Sequence, residues 1–317
     1  METSTPSFDG TTFASLGGST WRIRRFADES DTRWSAFNPS IACSPSGDYR
    51  VLVRSSNYFI DPEYGHAVAT IGSRVRSRMW LGKLSEDLEI DEETWHEIDF
   101  SEAGIKFKRG AEDGRLFWRD GSWWFTAGLK EDGIYYPRIG LFRLDENLKA
   151  YLVEVYDEGW LKDVEKNWMP TYELNQNFDY VYSATEVYKN GPIERRELTD
   201  DVGGVRGGSC LWKIDGYGYL ALVHFAHKQV VERYNPRLFG TEYAKTRKYT
   251  HAFARYSNDG TLVGLSKQFI FEDFKIEFAA GLVVKGDEVI VSYGKQDVAA
   301  YLGRIKLDDV LKLIEEV

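Results

Sequence analysis

The sequence predicts an all-β fold, a five-bladed β-propeller with a short C-terminal helix, in which residues 1–317 form a single domain. Two observations favour this fold. Five segments repeat one layout of polar cluster, turn and strand-like run, and a further strand-like segment follows four of them. Four-stranded units repeated around an axis are typical of a propeller. A β-sandwich of irregular hairpins is the alternative, because the spacing of the units is uneven.

The five repeated segments begin with small and polar residues, pass through a turn and continue with β-branched and aromatic residues. Their turns carry Ser-Gly-Asp, Asp-Gly, Asn-Gln-Asn, Asp-Gly and Gly-Asp, which suit the positive φ angles of tight hairpins. The flanking runs have the composition and alternation of strands. The segments are residues 37–58, 111–128, 165–185, 205–226 and 277–297.

Further elements complete the predicted units. Fourth strands are expected within ETWHEIDF and YLVEVYDE, and a strand within residues 19–27 is expected to complete the last unit and close the ring. LDDVLKLIEEV at the C-terminus is the one convincing helix. Residues 227–248 are basic and aromatic, and we expect a loop there, either a solvated excursion or a lid or wall of the pocket. The third strands are expected in residues 78–88, 137–148, 251–262 and 299–310.

Composition narrows the function. A net charge of −10 argues against nucleic acid as a partner, because phosphate backbones require a basic surface. Two cysteines without CxxC spacing and a start without a signal-peptide pattern predict a reduced, cytoplasmic protein with no membrane partner. Ten Trp and 19 Tyr exceed what a core needs and suit sugar binding.

The polar clusters that lead each unit predict a site, because the first strands of propeller blades converge on one centre. Two carboxylates on opposite sides of a sugar are the minimum for glycosidic cleavage. Asp113, Glu165 and Glu277 are the catalytic candidates, and Asp297 is a further opposing carboxylate. Glu112 neighbours Asp113 and is expected on the other face of its strand. The substrate-binding candidates are Asn38, Arg54, Arg115, Lys166, Arg206, His224, His251 and Asp297. The alternative is that these residues form ion pairs between blades.

Other chemistries lack their motifs. The chain has no HExxH, no Walker loop and no GxSxG, and His224 and His227 are badly spaced for one metal ion. We therefore expect neither a metal nor a cofactor.

At these clusters the sequence resembles glycoside hydrolase family 130, five-bladed propellers that include β-mannoside phosphorylases and mannosidases. AEDGRLFWRDGSWWFTAG resembles the family's Glu-Asp-Pro-Arg segment, EKNWMP its Pro-Glu-Lys segment, VRGGSCLWKIDGYGYLALVH its Gly-Gly-Thr segment, and the end of EFAAGLVVKGDEVIVSYGKQD its last blade. FNPSIA is similar to its early Asn-Pro. The motifs keep their order over residues 38–305.

The resemblance implies roles for single residues. Asp113 matches the proton donor, Asn38 and Asp297 match sugar contacts, and Arg206 and His224 fall near phosphate-holding positions. Two departures are that Gly114 replaces the Pro, and that residues 182–184, Tyr-Ser-Ala, replace a His-Arg-Pro segment of the phosphate site. Related propellers also include mannosyltransferases that use nucleotide sugars.

The sequence thus predicts a carbohydrate-active enzyme that cleaves or transfers a glycosyl group, mannosyl by resemblance. Asp113 is expected as the acid, with Glu165 or Glu277 as the base if water attacks. If phosphate or a nucleotide sugar takes part, Lys166, Arg206, His224 and His251 are expected to hold the anion. The alternatives are a nucleotide-sugar-dependent glycosyltransferase of related fold, a non-catalytic glycan-binding propeller and a structural interaction module.

Overall fold

The computed structural model confirms an all-β chain with one short helix, arranged as a β-propeller. Its sheets are antiparallel, and most neighbouring strands follow one another along the chain. The residues described are 8–23, 34–60, 67–70, 74–105, 107, 109–129, 138–156, 167–171, 180–181, 186–188, 194–195, 204–235 and 240–317.

The first strand, β1 (Ser19–Arg22), belongs to the last sheet, described below. The first complete sheet follows it. Its strands, in spatial order, are β2 (Ser35–Cys43), β3 (Tyr49–Ser56), β6 (Ser77–Leu84) and β7 (His96–Glu97). Between β3 and β6 the chain forms a separate two-stranded sheet of β4 (Tyr58–Ile60) and β5 (Ala67–Ala69).

The second sheet has the same layout and confirms the strand expected in YLVEVYDE. Its strands are β8 (Glu112–Arg119), β9 (Ser122–Leu129), β10 (Arg138–Leu144) and β11 (Ala150–Tyr156). The third unit is much smaller, with strands of two or three residues. They are β12 (Met169–Pro170), β13 (Tyr180–Val181), β14 (Glu186–Tyr188) and β15 (Glu194–Arg195).

The fourth sheet contains the longest strands, and the fifth contains the C-terminal hairpin. The fourth is built from β16 (Val205–Gly207), β17 (Trp212–Ile214), β18 (Gly218–Asn235), β19 (Gly240–Tyr256), β20 (Leu262–Ser266) and β24 (Ile314–Glu316). The fifth is built from β21 (Glu277–Lys285), β22 (Glu288–Lys295), β23 (Ala299–Lys306) and β1.

Four blades are recognised rather than the five that the sequence predicts. Within the described residues, the third unit has paired strands of two or three residues, β12 to β15, and no extended blade.

The predicted closure of the ring is confirmed. β1 pairs antiparallel with β23, from Ser19 opposite Arg304 to Arg22 opposite Tyr301. The N-terminal strand therefore completes the sheet that contains the C-terminal hairpin, and it covers the edge that β23 would otherwise leave open.

Two sequence predictions are wrong in detail. The expected C-terminal helix, α1 (Leu307–Leu313), ends early, and β24 follows and pairs with β20. Seven residues make a marginal helix, whereas an added strand covers the edge of the fourth sheet. The expected loop at 227–248 is instead a continuation of β18 and β19, which stay paired as far as Asn235 and Gly240. Val, Thr and Tyr are frequent in this segment and favour strands.

Much of the aromatic content packs between the sheets. Trp168, Tyr180, Phe117 and Phe253 are among the largest fully buried side chains, and Trp123 is almost completely buried. Part of the aromatic excess that suggested sugar binding is therefore core. Within the part of the chain that the structure describes, no helix is long and apolar enough to cross a membrane.

Candidate active site

The site begins with a backbone feature shared by two inner strands. Each of β2 and β8 has a bulge near its start, where the pairing register shifts between Phe37 and Ser40 and between Glu112 and Arg115. Inside these bulges Asn38 and Asp113 have φ angles of 48° and 50°. Asn and Asp tolerate this left-handed conformation better than most residues. The bulges bring the two side chains together, and Asn38 Nδ2 donates to Asp113 Oδ1 at 2.8 Å.

Arg54 on β3 holds the two strand starts together. Its Nη1 lies 3.0 Å from Asp113 Oδ1, and its Nη2 lies 3.3 Å from Glu112 Oε1. Its Nε donates to the hydroxyl groups of Ser56 at 3.2 Å and Ser77 at 3.0 Å. Burial alone would lower the pKa of Arg54, but the two carboxylates outweigh burial and raise it. Arg54 is therefore a fixed cation at the junction of the first two sheets.

Glu112 corrects a prediction from strand alternation. The sequence places it on the face opposite Asp113, yet both carboxylates contact Arg54. The bulge at Asp113 breaks the two-residue period, so neighbouring side chains reach the same guanidinium.

Asp297 joins this group from the fifth sheet. It lies in the turn between β22 and β23, where Gln296 and Asp297 have φ angles of 52° and 54° and Val298 N–H donates to Lys295 O at 3.1 Å. Two consecutive positive φ angles are those of a type I′ hairpin turn. Tyr58 Oη donates to Asp297 Oδ2 at 2.8 Å, and the Tyr58 ring lies 5.7 Å from the Arg54 guanidinium carbon.

We call these six residues the central cluster. It comprises Asn38, Arg54, Tyr58, Glu112, Asp113 and Asp297. Burial raises the pKa of Asp297 to about 6, and the negative charges of Asp113 and Glu112 add to burial, while Arg54 and the Tyr58 hydrogen bond oppose it. A carboxyl group with this pKa exchanges its proton near neutral pH, which is what acid–base chemistry requires.

Arg115 joins several units below the bulges rather than facing a substrate. Its Nη1 donates to the carbonyl of Asp113 at 2.7 Å, its Nη2 to Asn167 Oδ1 at 3.0 Å, and its Nε to the carbonyl of Gly208 at 2.8 Å. Burial lowers its pKa to about 10, so it is still a cation at neutral pH. These contacts hold the backbone at Asp113, and a role for Arg115 in substrate binding stays a prediction.

The two histidines do not supply the positive charge that the sequence suggests. His224 is 3% exposed, burial lowers its pKa to about 3, and its Nδ1 lies 2.9 Å from the Gly207 carbonyl. That carbonyl only accepts, so Nδ1 carries the hydrogen and Nε2 is an acceptor. His251 is fully buried against Phe271, and burial sets its pKa well below the ordinary value. Both rings are neutral at physiological pH and are poorly suited to hold an anion.

Glu277 lies in a structural position. It is fully buried, and its carboxylate accepts backbone N–H groups of Phe271 at 2.7 Å, Glu272 at 3.0 Å and Asp273 at 2.9 Å. Burial raises its pKa, and the three hydrogen bonds oppose that effect. A carboxylate already saturated by a backbone turn is badly placed to activate water.

The three remaining site residues predicted from the sequence are Glu165, Lys166 and Arg206. Glu165 and Lys166 lie outside the described residues, and Arg206 is exposed beside β18. Sequence reasoning missed Tyr58, the last residue of the first repeated segment, because it looked for candidates in the polar clusters that lead each segment. It also missed Asn167, whose φ of 65° repeats the left-handed conformation of Asn38 and Asp113. The sequence signal that could have identified Asn167 is the Asn or Asp in the leading cluster of each of the first three units, namely Asn38, Asp113 and Asn167.

No model of a protein family matches the sequence, and no curated protein is significantly similar to it. Solved structures are similar in fold. A β-1,2-mannobiose phosphorylase from Listeria innocua matches 93% of this chain and 99% of its own, at 14% identity and a TM-score of 0.61.

Two further structures extend the comparison. One belongs to the glycoside hydrolase family 130 of mannoside phosphorylases, which contains hydrolases that target β-1,2-mannosidic linkages in Candida mannan. It has 14% identity and a TM-score of 0.60 and covers 86% of this chain and 85% of its own. The other is a GDP-Man-dependent mannosyltransferase from Leishmania mexicana, with 12% identity, a TM-score of 0.51 and coverage of 91% and 89%. The structural neighbours are thus family 130 mannoside phosphorylases and related enzymes, whose fold this chain shares.

Proposed function

We propose that this chain is a carbohydrate-active enzyme that cleaves or transfers a mannosyl group at the central cluster. The observation that carries the proposal is the meeting of Asp113 and Asp297, from two different sheets, around Arg54 and Tyr58. Half-buried carboxyl groups brought together from different sheets are costly to fold and match the needs of glycosidic acid–base chemistry.

The comparisons support the substrate class. The neighbours are described as phosphorylases, hydrolases and a transferase of mannosyl groups, and this chain shares their fold. Asn38 and Arg54 are proposed to orient the sugar and Asp113. We also infer that β12 to β15 act as a fifth blade, since they are four antiparallel strands in chain order and Thr171 bridges Leu211 next to the fourth sheet.

The nucleophile is proposed to be water or an acceptor sugar rather than orthophosphate. Phosphate requires fixed positive charge, whereas His224 and His251, two of the predicted anion-holding residues, are neutral. Residues 182–184 also replace the His-Arg-Pro segment of the family's phosphate site. A non-catalytic glycan-binding propeller is the second candidate, because the same polar cluster would bind a sugar without reacting.

Product formation by the purified wild-type chain tests the proposal. The substrates are a panel of β-mannosides with and without phosphate, and GDP-mannose with mannoside acceptors. We expect release of mannose or formation of a longer mannoside, independent of added phosphate. Sugar binding without turnover of any substrate would favour the binding module. If the chain neither binds nor turns over any of these sugars, both proposed functions are wrong.

A further inference from the structure

Arg115 is a buried cation whose hydrogen-bond partners are all uncharged. Only 2% of the residue is exposed, and its three acceptors are the carbonyl groups of Asp113 and Gly208 and the side-chain oxygen of Asn167. In the part of the chain that the structure describes, no carboxylate forms a salt bridge with it. A buried charge without a counter-ion is costly to fold, and proteins keep such costs at functional sites.

The charge of Arg115 lies directly behind the central cluster. Arg115 follows Asp113 by two residues on β8 and donates to its carbonyl at 2.7 Å, and the carboxylate whose charge acts on Arg115 is that of Asp113. Arg54 differs, because it forms salt bridges with Asp113 and Glu112. The site therefore contains one paired guanidinium and, behind it, one that has no carboxylate partner.

The residue that keeps Arg115 unpaired is Asn167. Its Oδ1 accepts from Arg115 Nη2 at 3.0 Å, and an aspartate would place a carboxylate oxygen at the same point. Its φ is 65°, which Asn and Asp both tolerate, and a Cβ on Gly207 would lie 1.9 Å from its carbonyl oxygen. The backbone is thus held by a close approach that suits either side chain, and the neutral one is present.

We propose that Arg115 is a positioning residue that supplies positive charge behind the central cluster, and that Asn167 holds its guanidinium without neutralising it. This inference rests on the proposed function and deepens it by naming a source of charge for that site. A fixed cation favours the ionised forms of the carboxyl groups in front of it. Glycosidic cleavage forms a carboxylate when the acid gives up its proton, so this charge is in place before the reaction begins.

The other titratable groups near Arg115 do not compensate its charge. Burial raises the pKa of the Cys210 thiol to about 12, so it stays neutral, and the His224 ring on β18 is neutral as well. On the other side of the cluster, Arg247 on β19 forms a hydrogen bond with the side chain of Tyr249, whose pKa burial raises.

The variant Asn167→Asp tests the proposal, because it gives Arg115 a counter-ion of nearly the same shape as Asn. We expect the Tm of the full chain to rise by about 2–4 °C at pH 7. The pKa of a carboxyl group paired with a cation is lowered in the fold, so the gain should be present above about pH 4 and lost at lower pH. Calorimetry at a series of pH values measures it.

The same variant should change the central cluster. The added negative charge opposes that of Arg115, so the ¹³C carboxyl resonances of Asp113 and Asp297 should titrate at higher pH. Their loss in Asp113→Asn and Asp297→Asn assigns them. The pH profile of mannoside turnover should move in the same direction, and a move of about one unit lowers turnover about tenfold on its acidic limb. A variant that is more stable yet less active is not expected from a purely structural Arg115.

Two control variants separate charge from shape. Asn167→Ala removes the amide without adding charge, so it should lower the Tm and leave the pH profile in place. Asn147→Asp adds the same charge at an exposed turn of the second sheet, and should move neither the two resonances nor the profile.

Two results would overturn the proposal. One is an Asn167→Asp variant that is no more stable than the wild type at pH 7, because Arg115 would then not need a counter-ion. The other is a stabilised variant whose Asp113 and Asp297 resonances titrate as in the wild type, because the charge would then not reach the cluster. Failure of the proposed function is a separate result, since a chain that turns over no mannoside still gives the Tm and the carboxyl titrations.

Discussion

At the scale of single residues, Asp113 and Asp297 are chemically identical groups with opposite surroundings. Asp113 has Arg54 and Asn38 as donors, while Asp297 accepts from the Tyr58 phenol and lies within the field of Arg54 and of two carboxylates. Two carboxyl groups with different partners and burial hold their protons with different affinities. The sequence identifies both residues but not their protonation states, because the protonation state depends on burial and on partners that are distant in the chain.

The raised pKa of Asp297 has a consequence for stability. Its pKa is 3.8 ordinarily and about 6 in the fold, so the folded chain binds more protons between these values than the unfolded chain. Its contribution to the free energy of unfolding therefore falls as pH rises from about 4 to 6 and stays low above that. Asn keeps the shape without the charge.

Asp297→Asn should accordingly be more stable than the wild type at pH 7, by on the order of 2 kcal/mol. The two proteins should be equally stable below about pH 3, where Asp297 is mostly protonated in both the folded and the unfolded state. Urea denaturation at a series of pH values measures the difference. A variant that is less stable at pH 7 would contradict a strained carboxyl at this position, and Asp120→Asn provides the baseline.

Arg115 and Glu277 show a different limit of sequence reasoning. Both were predicted to be site residues, because charged side chains in the leading clusters suggest chemistry. The structure gives Arg115 three acceptors from different units and gives Glu277 three backbone donors. Buried polar groups also satisfy loops and bulges, and a sequence does not distinguish that use from catalysis.

At the scale of elements, strand pattern and turn chemistry predicted most of the sheets. The hairpins, the third strands and the closing N-terminal strand follow from alternation and from Gly, Asp and Asn at the turns. Bulges were the main failure, because one extra residue moves Glu112 onto the side of Asp113 and no pattern of alternation reveals it. The long β18–β19 hairpin was missed because its charged residues resembled a loop.

Ring closure by β1 can be tested by truncation. Removal of residues 1–22 deletes β1 and exposes the edge of β23, and it also deletes Phe13, which is fully buried in the core. We expect the Tm to fall by roughly 5–10 °C more than in Phe13→Ala, since each kcal/mol shifts the Tm of a large domain by about 2–4 °C. Differential scanning calorimetry measures both. A truncated chain that melts like Phe13→Ala would show that β1 does not stabilise the ring.

At the scale of the whole molecule, the propeller explains why residues so far apart in the chain share one site. Inner strands from separate sheets begin next to one another, and β2 contacts both β8 and β21. Asn38, Asp113 and Asp297 are brought together by this arrangement, although they span most of the chain. The bulges and the type I′ turn then orient these side chains, and Arg54 forms an ion pair with Asp113.

The most direct test of the account compares Asp113→Asn with its matched control Asp120→Asn. Asp113 and Asp120 both have positive φ, at 50° and 47°, but only Asp113 contacts Arg54. Turnover of the best mannoside and binding of the same sugar are measured for each variant by product analysis and calorimetry. We predict that Asp113→Asn loses about 10²–10⁴-fold in turnover and keeps most of its sugar affinity, while Asp120→Asn equals the wild type. Equal turnover in both variants would contradict the central cluster as the catalytic site.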